Sequence, residues 1–107
     1  MNKIGILLCN KMTYGCAATG CFNAFSKKEG AFEIYQNQEV SIGSVFHCNG
    51  CGKNFVEEMD YKFTQLRKSN IKTIHLAKCV QVECNRYNEL KSDLINEGFS
   101  VIDGTHD

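Results

Sequence analysis

Cys48-Asn49-Gly50-Cys51 sets two thiols three positions apart, a spacing at which they can close on one metal ion or on each other. The pair ends an apolar run and precedes an amphipathic segment. At a helix start, thiols meet the positive end of the helix dipole, which favours thiolate, the form that ligates metals and attacks disulfides. Cys9, Cys16, Cys21, Cys79 and Cys84 bring the count to seven, and histidines stand at 47, 75 and 106. Thiolate and imidazole together select zinc or an iron–sulfur cluster over magnesium or calcium. Four protein ligands would make a structural site; three and an open position would make a chemical one.

The rest of the composition narrows the setting. Twelve basic and twelve acidic side chains cancel, so no net field draws nucleic acid or anionic lipid. No apolar run approaches the roughly 20 residues of a membrane span. The opening Met1–Cys9 has one lysine and an apolar run shorter than the ~7–15 residues of a secretory core, so it reads as a first strand and the protein as cytoplasmic. An odd number of cysteines without an export signal argues against a disulfide framework. In a reducing compartment, metal ligation, redox work and packing are the remaining uses. The 107 residues form a single domain, 1–107, long enough to bury a core without staples.

Which elements would position these thiols follows from the hydrophobic pattern. Lys3 to Cys9 is a continuous apolar run, suited to a strand covered on both faces. After a polar turn, Thr19 is a candidate N-cap, and Phe22, Phe25, Phe32 and Tyr35 recur at helical spacing, with a break near Gly30. Glu39 to Phe46 is a second strand leading into the Cys48 motif. Phe55, Val56, Met59, Phe63 and Leu66 form one helix face, ended by Ser69-Asn70. Ile71 to Ala77 is a third strand running into Lys78-Cys79, and a short loop carries Cys84. Tyr87, Leu90, Leu94 and Ile95 make another helical stripe, stopped by Gly98 at the C′ position. Phe99 to Ile102 is the last strand.

The order βαβαβαβ implies parallel pairing and right-handed crossovers. The expected architecture is an α/β three-layer sandwich: a four-stranded parallel sheet in order 2-1-3-4, a flavodoxin-like half. Cys9, Cys48 and Cys79 then close strands one, two and three, and His106 lies just past strand four. All four sit at the carboxyl ends of the strands, the edge where open α/β sheets bind ligands. Neighbouring strands are about 4.8 Å apart, close enough for adjoining loops to share one ion. Cys9, Cys48, Cys51 and Cys79 are therefore the expected ligands, with His106 as a further one. Cys16, Cys21 and Cys84, in or beside loops leaving the same edge, form a candidate second set. The alternative use is thiol–disulfide exchange through Cys48 and Cys51.

The histidines divide by position. His106 has Asp107 beside it to orient the ring. His75 lies inside the third strand, about 13 Å along the chain from Cys79 at ~3.3 Å per residue, and reads as a satisfied core histidine. His47 points to the opposite face from Cys48 in an extended chain. The aromatic residues read as core, and no serine sits in an acyl-transfer arrangement.

Taken together, several stretches resemble the CGGC-domain family, small proteins named for a central Cys-Gly-Gly-Cys. They are Ile4-Gly5-Ile6 running to Cys9, Cys16 and Cys21 with Phe22, and Gly30-Ala31-Phe32. Cys48-Asn49-Gly50-Cys51, Ile74 to Cys79, Cys84 and Gly104-Thr105-His106 complete the likeness, which spans nearly the whole chain. The resemblance implies metal binding, zinc above all, by Cys and His. It supplies no reaction. Asn49 replaces the family's glycine and tolerates the same left-handed geometry; Asn85 stands where the family tends to have proline, which would loosen that loop.

Overall fold

Ile4, Ile6, Leu7 and Leu8 are all buried, as a strand covered on both faces requires. Around it, the computed structural model describes residues 2–8, 19–47, 55–83 and 86–105. The elements are β1 (Asn2–Leu8), α1 (Thr19–Lys27), a 3-10 helix (Gly30–Tyr35), β2 (Val40–His47), α2 (Phe55–Lys68), β3 (Thr73–Leu76), α3 (Lys78–Glu83), α4 (Tyr87–Asn96) and β4 (Ser100–Asp103). The strands form one sheet in the order β2-β1-β3-β4, and every pairing is parallel. The expected order and class are observed.

From β1 the chain steps outward to β2, then returns past β1 to β3 and β4. Right-handed crossovers therefore place the first connection on one face and the later ones on the other. Side chains agree. His75, in register with Ile6 and Ile102, meets Phe32 and Tyr35 of the 3-10 helix. α2 packs beside α4, and Phe63 meets Phe99 just ahead of β4.

Three helices end alike. Lys28, Asn70 and Gly98 adopt φ of 53°, 60° and 96°. The next amide in each case reaches back five residues, Glu29 to Ala24 at 2.9 Å, Ile71 to Leu66 at 3.0 Å and Phe99 to Leu94 at 3.1 Å. This is the Schellman ending, and at the last two sites both residues of the accompanying apolar pair are buried. Gly98 holds the C′ position its type predicts.

The β1–β2 register slips between Ile4 and Gly5, which oppose Ile42 and Ser44, so Gly43 is the extra residue of a bulge. A Cβ at Gly43 would lie 2.8 Å from Cδ1 of buried Ile71, so only glycine fits there without displacing the core.

Several expectations need correction, among them Ile95, which is 52% exposed although the last helical stripe included it. Phe22 is 41% exposed, and α1 turns Cys21 and Ala24 inward instead. A helix buries a stripe, and here the buried stripe is made of the small residues Cys21 and Ala24, Cys21 bonding Thr105. The third strand is Thr73–Leu76, shorter than 71–77, and Lys78-Cys79 opens the short helix α3. Cys79 thus stands three residues beyond its strand and does not close it.

Candidate metal centre

The strand ends define a rim. Leu8 opposes His47, Leu7 opposes Leu76, and Leu76 opposes Asp103, so the four carboxyl ends lie side by side. Two amides carry the ladder one step further: Ala77 donates to Leu7 at 3.0 Å, and Gly104 to Leu76 at 2.7 Å.

At this rim the chain leaving β4 is held on every side. Gly104 takes φ of 95°, a left-handed turn suited to glycine. His75 is fully buried, with Nδ1 2.9 Å from the Gly104 carbonyl and Nε2 2.8 Å from the Tyr35 hydroxyl. A carbonyl only accepts, so Nδ1 carries the proton and Nε2 accepts from Tyr35. Burial lowers the His75 pKa, partly offset by the bond to Gly104, and burial raises that of Tyr35. His75 is the satisfied core residue its strand position predicts.

Thr105, also fully buried, accepts the Ala31 amide at its carbonyl, 2.9 Å away. Its hydroxyl accepts the Cys21 thiol at 3.2 Å and the Lys78 amide at 3.4 Å. One hydroxyl therefore joins α1, the start of α3 and the segment after β4. Cys21 is buried in the first turn of α1, and Cys79, next to Lys78, is partly buried against the core. The fold thus brings Cys21 and the Cys79-bearing segment to the residue that precedes His106.

Cys9, Cys16, Cys48, Cys51, Cys84 and His106 lie outside the described residues. His47 ends β2 exposed, and its carbonyl accepts the Lys62 ammonium at 2.6 Å. Among the described residues, no three His, Cys, Asp or Glu side chains are grouped to hold a metal ion. The described thiols, Cys21 and Cys79, fit a soft or borderline ion by their chemistry, since sulfur donors suit zinc or iron and not magnesium. Further ligands would have to come from residues outside the described ones. Also among the described residues, no helix is long and apolar enough to cross a membrane.

Sequence reasoning missed Thr105 and Tyr35 as the parts that hold this rim. A threonine next to a glycine reads as a turn, and nothing local marks it as buried. The only available signal was its place before His106.

An uncharacterized protein of Methanocaldococcus jannaschii is 32% identical over 115 residues, covering 97% of this chain and 86% of its own length. No solved structure gives a significant match. The model of the CGGC domain matches residues 3–106, and that family suggests a metal-binding role. The chain belongs to the CGGC-domain family.

Proposed function

We propose that this protein holds a metal ion with cysteine and histidine at the carboxyl rim of its parallel sheet. Cys9, Cys48, Cys51 and Cys79 are the principal ligands and His106 a further one. Cys21 joins this set from the candidates Cys16, Cys21 and Cys84. One observation carries the reading: the Thr105 hydroxyl bonds both Cys21 and the amide preceding Cys79, one residue ahead of His106. Cys9 and Cys48 support it by chain position, each following directly on the paired strand ends Leu8 and His47.

Zinc is the metal this donor set favours, in a reducing cytoplasm. When bound it would act structurally if fully ligated by protein, or as a Lewis acid with one position open. The chain's own part is to bring the thiols to one rim, where Leu8 and Ala77 are buried.

Protein purified without oxygen tests this by elemental analysis and an absorption spectrum. Stoichiometric zinc in a colourless protein is expected. A brown protein that bleaches in air would assign an iron–sulfur cluster to the same ligands. Metal-free protein in which Cys48 and Cys51 alkylate only after reduction would overturn the metal reading in favour of thiol–disulfide exchange.

A further inference from the structure

We infer that Thr105 is a positioning residue for the metal centre, acting through Cys21. The inference rests on the metal-binding reading above and adds a residue that is not itself a ligand. Its side chain is fully buried, and its hydroxyl is the acceptor shared by the Cys21 thiol and the Lys78 amide. Cys21 and Thr105 are 84 positions apart in the chain, so this contact is made only by the finished fold.

The turn that carries the hydroxyl is fastened independently of it. The Gly104 amide bonds Leu76, the Gly104 carbonyl receives His75, and the Thr105 carbonyl receives Ala31. The backbone at 104–105 therefore stays in place when the side chain changes. That separates a positioning role from a folding one. A hydroxyl has one proton to give and two lone pairs to accept with. Toward a thiol it accepts; toward a sulfur that ligates a metal it must turn and donate, while the Lys78 amide still reaches its oxygen. Such bonds to ligating groups orient them and tune their basicity, and their loss costs about 10–100-fold in metal affinity. Valine has the same shape as threonine but can do neither.

Cobalt(II) titration of the full reduced chain, with a chelator competing and the sulfur-to-cobalt absorption recorded, tests the inference. Thr105→Val should weaken cobalt binding about tenfold or more and shift that absorption, while Thr105→Ser restores both. In a Cys21→Ala background, Thr105→Val should have no further effect on affinity, because the two residues act as one. Unchanged affinity and spectrum in Thr105→Val would overturn the inference, as would equal losses in Thr105→Val and Thr105→Ser. Additive losses in the double variant would also overturn it. Should Thr105→Val not fold, Thr105→Ala carries the same test: weaker cobalt binding and a shifted absorption relative to Thr105→Ser support the inference, and behaviour equal to Thr105→Ser overturns it. Failure of the parent protein itself to bind cobalt or to carry any metal is a separate result, and it sinks the metal-binding reading first.

Discussion

Tyr35 donates a 2.8 Å hydrogen bond to His75 inside the core, and the direction of that bond is set by Gly104 on the far side of the ring. The three groups form a chain from the 3-10 helix through β3 to the exit of β4. Both ring nitrogens are used, so the imidazole has one tautomer and one orientation. This chain lies behind the rim and holds the turn that presents Thr105.

Tyr35→Phe would leave Nε2 of His75 buried without a donor. The expected loss is about 1–3 kcal/mol, the usual cost of an unsatisfied buried polar group. Urea unfolding of metal-free protein measures it. A loss under a few tenths would show that the hydrogen bond is not made in solution.

The same histidine makes stability pH-dependent. Burial lowers its pKa in the folded state. Below the usual histidine value of about 6.5 the unfolded chain therefore takes up a proton that the folded chain refuses, and stability falls as pH falls. The slope should reach at most about 1.4 kcal/mol per pH unit, ending where the folded pKa is passed. His75→Gln should be less stable than the parent at neutral pH and flatter across that window. Asp103 adds a loss at lower pH, since the Tyr87 hydroxyl and Lys91 hold its carboxyl below the ordinary aspartate range. Parallel stability–pH curves for parent and His75→Gln would refute the assignment to His75.

Two glycines should respond differently to alanine. At Gly43 the new methyl meets Ile71 at 2.8 and 3.1 Å, so Gly43→Ala should cost about 1–3 kcal/mol through overpacking. At Gly98 nothing lies within 4 Å, and the cost comes from φ of 96° alone, about 1 kcal/mol. Thermal melts of both variants give the order. The reverse order would place the bulge elsewhere.

Cys48→Ser should abolish metal uptake, with the α/β fold checked by circular dichroism. Elemental analysis of the purified variant decides. Metal retained at one equivalent would remove Cys48 from the centre.

The class of the fold was legible because its signals are local. A continuous apolar run at Ile4–Leu8, a helical stripe at Met59, Phe63 and Leu66, and Gly98 past a helix end each follow from backbone geometry within a few residues. From alternating elements, chirality then leads to parallel strands in order 2-1-3-4 and one carboxyl edge. His75 could be recognised as a core residue from its place in a buried strand. The partners could not. Tyr35 reaches His75 across 40 positions and Cys21 reaches Thr105 across 84, and such contacts depend on strand register and on how the helices dock. The inward turn of Cys21 in place of Phe22 was decided the same way, by which side of α1 could lie flat on its neighbours. Periodicity says that a helix has a buried face; only packing against the rest of the molecule chooses which residues fill it and which hydroxyl meets which thiol.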